Sequence, residues 1–242
     1  MDNTRISVTL KHHLQLAFSP VAVSLLSSKD NPELEVYRPK KPVASYCQSI
    51  MAAAKGESLY LLKNDILCKS GAATLGFRSY PEDMLSGQKH YRSGVFCSIE
   101  AAKKSVAGAC KLEDESIQAL LLRPISQADN GYDVLLMPVN AEQAMFISVA
   151  DKYETGGRTE ISMATGFQGI CGDATAYVLK TGSINLSVTG FGDRLRCGLD
   201  PDLMMVGIPE NRVTIIAENL EKLGTKLLAK YKRARRGEIG EE

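Results

Sequence analysis

The chain has 242 residues, 44% of them hydrophobic and 24% charged, with a net charge of +1 from 29 basic and 28 acidic side chains. Near-neutral charge argues against a nucleic-acid partner, which normally leaves a strongly basic face, and no apolar run approaches the ~18 residues a membrane span needs. What is left is a globular protein with enough chain for a full core, expected as one domain over 1–242 or as two lobes of about 1–115 and 116–242.

The opening Met1-Asp2-Asn3-Thr4-Arg5 lacks the basic-then-apolar order of a signal peptide, so a cytoplasmic location is expected. Six cysteines in that setting are expected as thiols, thiolates or metal ligands rather than a disulfide framework.

In chain order, residues 4–17 read as a helix with Ile6, Leu10, Leu14 and Ala17 on one face. Val21–Leu26 follows as a strand, almost wholly apolar and so expected to be buried on both faces. The polar stretch 27–41 is a loop long enough to cover something. Ser45 is an N-cap for a helix to Lys55, with Cys47 in its first turn and Gly56 closing it. Leu59–Leu62 is the next strand, and 65–73 a turn into a small-residue helix holding Cys68. A polar patch over 81–94 carries a solitary His90, and a helix over 98–109 lies between Cys97 and Cys110.

Apolar strands at 117–122 and 132–138 flank the turn signal Asp129-Asn130-Gly131. Asn140 caps a helix to about Tyr153, with Ala144, Ile147 and Ala150 inward. The glycine-rich stretch 156–194 is expected to hold a central helix over 165–180, a strand over 184–188 and a loop over 191–200. A strand at 203–208 leads through Pro209 into a last helix burying Val213, Ile216, Leu220, Leu223 and Leu227. Its basic end (Lys230, Lys232, Arg233, Arg235, Arg236) is followed by Glu238, Glu241 and Glu242 and reads as a solvated helix end.

Alternating strands and helices give an α/β or α+β fold with helices packed on a mixed sheet. The halves also rhyme. Strand 21–26, the Cys47 helix, a glycine and a strand resemble strand 134–138, the Cys171 helix, Gly182 and a strand. An internal duplication would bring the two helix-borne cysteines together across a pseudo-twofold axis.

Several segments carry a family resemblance: SPVAVSLL (19–26), the Cys47-Gln48 helix, LCKSGAATLGF (67–77), NAEQAMFI (140–147), ICGDATAYVLKTGSINLSVTGFGDR (170–194) and MMVGIP (204–209). Together they resemble domain-of-unknown-function family 169, a family of archaea and anaerobic bacteria, over about 14–223. The resemblance implies no activity. It does imply cysteines at the positions of Cys47, Cys68 and Cys171, and commonly one at the position of Thr189. This chain departs from the pattern at Thr189, and Cys197, eight residues on, is the candidate substitute.

Cys47, Cys68, Cys171 and Cys197 are the candidate metal ligands. Helix N-termini favour thiolate, and converging thiolates suit an iron–sulfur cluster or another soft metal. Against that, no C-x-x-C pair occurs, and free cysteine also packs well as a small hydrophobe. Gly166, Gly169, Gly172, Gly190 and Gly192 are candidates for close approach, either of a flat cofactor or of another stretch of backbone. They lack the strand–GxGxxG–helix context, and no GxxxxGK[ST] occurs, so a nucleotide P-loop is not expected.

Arg194 and Arg158 lie in glycine-rich turns where a guanidinium could hold a carboxylate or phosphate, with Asp193 beside Arg194 to pair with it or aim it. Asp173, two residues past Cys171, is a candidate proton carrier if buried, and with Arg194 completes the candidate catalytic set. No HExxH or Gly-x-Ser-x-Gly occurs.

Two readings stay open. One is a redox or cofactor-binding protein whose cysteine-lined site holds an iron–sulfur cluster or other thiolate-bound metal, with Arg194 orienting a small anionic substrate. The other is a non-catalytic small-molecule module whose cysteines only pack. A homo-oligomer built on the terminal helices is a third expectation.

Overall fold

The computed structural model describes residues 1–129 and 131–235. Asn130 of the expected turn, Arg236 of the basic tail, and Glu238, Glu241 and Glu242 lie outside the described residues. The first half contains α1 (Asn3–Leu14), β1 (Val21–Leu26), α2 (Tyr46–Ala54), β2 (Leu59–Leu62), α3 (Lys69–Thr74), α4 (Glu82–Leu85), α5 (Gln88–Arg92), α6 (Ile99–Gly108) and β3 (Ala119–Pro124). The second contains β4 (Val134–Val139), α7 (Ala141–Lys152), a π-helix (Gly169–Tyr177), α8 (Val178–Thr181), β5 (Asn185–Ser187), α9 (Phe191–Cys197), β6 (Met204–Pro209), α10 (Glu210–Leu223), a second π turn (Gly224–Leu228) and α11 (Ala229–Arg235).

Caps fix the helix starts. Asp2, Ser45, Ser98 and Asn140 each accept a hydrogen bond from the backbone N–H three residues on, each bond adding about 1 kcal/mol. Asn140 and Gln143 form a reciprocal capping box. The Gln143 amide also donates to the Leu14 carbonyl at 2.9 Å, tying the start of α7 to the end of α1.

The six strands form one sheet in the order β2-β3-β1-β4-β6-β5, and every ladder is antiparallel. This corrects the expected mixed sheet. Its strands read as continuous apolar runs because helices cover both faces, which imitates the sequence of a parallel sheet. Successive residues feed opposite cores. Val21, Val23, Val134 and Leu136 join one cluster with α2, α3 and the π-helix, while Ala22, Leu135 and Met137 join another with α1, α7 and α10. Read inward from either edge, each half contributes its second, third and first strand. The helices do not repeat, since α4–α6 between β2 and β3 have no counterpart between β5 and β6. The likeness stops at the strands and does not establish an internal duplication.

Other differences have local causes. The loop over 27–41 contains a 3-10 helix, Pro32–Tyr37, whose Leu34 packs against the cluster of Tyr60, Ala119 and Leu121. The expected helix over 165–180 starts only at Gly169 and opens in π geometry. The expected loop over 191–200 holds α9, whose N-terminus is braced by the Asp193 carboxylate on the Gly190 N–H at 2.8 Å. Leu227 is 47% exposed while Leu228 is buried, because the π turn at Gly224–Leu228 advances the inward face by one residue. The apolar faces of α1 and α10 pack into the same core and on each other. Among the described residues no helix is long and apolar enough to cross a membrane.

Candidate metal centre

Three donors meet beneath the sheet face that carries α2 and the π-helix. Cys47 stands in the first turn of α2, and Asp193 and Cys197 stand one helical turn apart on α9. Their ligating atoms all lie within 4.8 Å of one another, and all three residues are buried. Helix α2 packs on α9, and the Gln48 amide donates to the Arg196 carbonyl at 2.9 Å, which holds Cys47 opposite Cys197. The sulfur of Cys197 is also hydrogen-bonded by Ser45, the N-cap of α2.

The electrostatics correct one expectation. A helix start is expected to favour thiolate, and Cys47 stands at one. The hydrogen bond with Cys197, and then burial, hold the Cys47 thiol well above the ordinary range, with Asp193 adding to the effect. Burial first, and then the Asp193 charge, does the same to Cys171. Only Cys197 is shifted down, by the thiol of Cys47. At Cys47 the hydrogen bond with Cys197 and desolvation act together against the helix end, and at Cys171 desolvation leads. Without a cation the site therefore keeps protons that a metal would displace.

Cys171 lies next to this group and is influenced by Asp193 and Cys68. Cys68 N-caps α3, its sulfur accepting the Gly71 N–H at 3.4 Å. The four cysteines singled out from sequence thus fall in one neighbourhood, while Cys97 is exposed and Cys110 half-buried. Asp193 is the member that sequence reasoning set beside Arg194 instead. Its i,i+4 spacing to Cys197 would have revealed it, had 191–197 been read as a helix.

Backbone lies hard against Gly169 and Gly190. A Cβ on Gly169 would lie 2.5 Å from Thr189 Cα and 2.9 Å from Asp193 Oδ2, and one on Gly190 would lie 2.7 Å from the Gly166 carbonyl oxygen. Gly166 (φ +81) presses on the Phe191 ring, and Gly172 on Gln168, while a Cβ on Gly192 would meet nothing within 4 Å. Thr189 adopts φ 66, and its buried Oγ1 has no hydrogen-bond partner.

Both terminal nitrogens of the Arg194 guanidinium are engaged with main-chain carbonyls. It donates to Val188, Leu203 and Pro201 at 2.8, 3.1 and 3.0 Å and more weakly to Asp200, fastening the chain on either side of α9.

Asp173 is buried on the π-helix. Its carboxylate accepts from the Ala164 N–H and from Ser187 Oγ at 2.8 Å. Burial, with a smaller push from Asp193, raises its pKa to about 6. It lines a cavity of about 600 Å³ together with Phe96, Lys104, Cys110, Met163 and Tyr177. His90, read as a solitary loop residue, is buried and stacked on Phe167 with ring centroids 4.0 Å apart. Its pKa is lowered by burial and then by Lys89.

A model of the DUF169 family (Uncharacterised ArCR) matches residues 9–219. The chain belongs to this family. It is also 32% identical over 203 residues to the "Uncharacterized protein MJ0308" of the archaeon Methanocaldococcus jannaschii, an alignment covering 83% of this chain and 86% of that one. No solved structure matches the chain. Cys47, Asp193 and Cys197 all fall inside the segment matched to DUF169.

Proposed function

We propose that this DUF169 chain is a cation-binding protein of redox or cofactor-dependent metabolism. A single soft or borderline divalent ion would be held by the Cys47 and Cys197 thiolates and an Asp193 oxygen. One observation carries this reading: three donors from two distant segments converge in a buried spot, within 4.8 Å of one another. Two thiolates each 2.3 Å from one ion lie at most about 4.6 Å apart, so the spacing suits one ion. Three protein ligands leave a fourth position open, the arrangement of Lewis-acid sites. The buried Thr189 hydroxyl, which has no hydrogen-bond partner among the described residues, is a further polar group near Asp193.

An iron–sulfur cluster would need Cys68 and Cys171 to turn in as well, and their proximity keeps that variant in view. In either case Arg194 acts as an anchor for the α9 segment, and Asp173 as a proton holder facing the neighbouring cavity. The continuity of the sheet across both halves supports reading 1–242 as one domain.

A second reading rests on the 600 Å³ cavity. Its largely apolar wall, with one buried carboxyl of raised pKa, suits a small-molecule module in which the cysteines only pack. Elemental analysis of protein purified without oxygen separates these readings. The single-ion reading expects about one zinc or iron per chain without sulfide, and the cluster variant expects iron with equal sulfide and brown colour. Metal-free protein that retains an organic ligand in native mass spectra would favour the module.

A further inference from the structure

A second site lies away from the cysteines, where the end of α7, the glycine turn after it, the end of α8 and the first turn of α10 enclose about 440 Å³. We propose that this pocket binds a small oxyanionic metabolite, one carrying a phosphoryl or carboxylate group on a polar body.

The cations there are prepared for such a ligand. Arg212 is locked by the buried Asp151, donating Nε and Nη2 to Oδ1 at 3.1 and 2.8 Å and Nη2 to the Asp151 carbonyl at 2.9 Å. Its Nη1 makes no hydrogen bond among the described residues. The other Asp151 oxygen is held by Lys152 Nζ at 2.9 Å, so that carboxylate is already answered twice. A guanidinium fixed in advance loses little freedom when it captures an anion.

Arg158 supplies the second guanidinium. It lines the pocket, and among the described residues no hydrogen bond or ion pair engages it. Gly156 and Gly157, with φ of +65 and +87, make the turn that brings it there, and no neighbouring atom would restrict a side chain at either position. Three cations (Lys152, Arg158, Arg212) face two carboxylates (Asp151, Glu160), and Asp151 is neutralised by its two partners.

Two guanidiniums rather than ammoniums fit the planar, two-pronged recognition of an oxyanion. The wall is polar apart from Ile184 and the Gly182 backbone, and the Tyr177 and Ser183 hydroxyls have no hydrogen-bond partner among the described residues. Those hydroxyls suit a hydroxylated body, and the volume exceeds that of a bare ion and falls in the range of metabolite sites. The Tyr177 side chain also walls the cavity that holds Asp173, so the two spaces are neighbours.

The test is calorimetric titration of the full chain with inorganic phosphate and, separately, with succinate, at matched ionic strength. Saturable binding of either ligand is expected, and the stronger of the two identifies the anionic group. Arg158→Ala, an exposed change remote from the core, is expected to weaken that binding about tenfold or more, and Glu160→Gln to strengthen it. Absence of saturable binding for both ligands, or binding indifferent to Arg158→Ala, overturns the proposal. Neither outcome depends on metal at Cys47, Asp193 and Cys197.

Discussion

Gly169→Ala tests how the candidate metal centre is held. The added methyl would lie 2.5 Å from Thr189 Cα, 2.8 Å from its carbonyl carbon and 2.9 Å from Asp193 Oδ2, where carbon contacts normally settle at about 3.5–4.0 Å. The segment opposite cannot yield freely. Thr189 already sits at φ 66, its N–H bonded to Ser187 Oγ at 3.0 Å, and Asp193 braces Gly190. Overpacking of this kind costs about 1–3 kcal/mol, with backbone displacement at the upper end, against a helix-propensity gain of about 1 kcal/mol. A net loss of about 2 kcal/mol is expected from urea unfolding at unchanged slope. Gly192→Ala, which meets nothing within 4 Å, is the control and should be neutral or stabilising by up to about 1 kcal/mol. Gly169→Ala within about 0.5 kcal/mol of the parent would refute the close-approach account.

Three further outcomes are expected. Asp173 has its pKa raised from 3.8 to about 6, so its ionised form burdens the fold above that pH, and the burden lifts as pH falls through 6 toward 4. Asp173→Asn should therefore be more stable than the parent at pH 8, by at most about 3 kcal/mol, with the gap closing by pH 4 in urea melts; a pH-independent gap contradicts this. Burial lowers the His90 pKa, so its stability contribution is whole above the ordinary value of 6.5 and declines below it. His90→Phe, which keeps the stack on Phe167, should flatten the loss of stability between pH 6.5 and 5, and an unchanged acid limb would count against it. Finally, diamide should take two electrons and two protons from the metal-free protein to link Cys47 to Cys197, whose sulfurs lie within 4.8 Å. Peptide mapping that finds only Cys97 oxidised would argue against that proximity.

Much of the framework is legible in the residues. Ser45 and Asn140 announce their helices, and the runs VAVSLL and MMVGIP announce buried strands. Strand direction is not legible, because a sheet covered on both faces loses the alternation that marks antiparallel pairing. The π-helix also has no compositional signature. What it leaves is Gly207 on β6, where a Cβ would fall 1.9 Å from the Ala174 carbonyl oxygen. Cys47, Cys68, Cys171 and Cys197 could be singled out by residue type and position, but which of them touch is decided by the packing of α2 on α9. Asp193 was hidden by reading α9 as a loop. His90 was hidden because its burial depends on Phe167, distant in sequence.

The central claim, that Cys47, Asp193 and Cys197 hold one ion, is tested most directly by cobalt(II) titration of the reduced protein. One equivalent should develop thiolate-to-cobalt absorption with tetrahedral ligand-field bands. Those bands should be lost or greatly weakened in Cys47→Ser and Cys197→Ser, shifted in Asp193→Asn and unchanged in Cys97→Ser. Bands that survive both Cys47→Ser and Cys197→Ser, or no thiolate absorption from the parent protein, would contradict it.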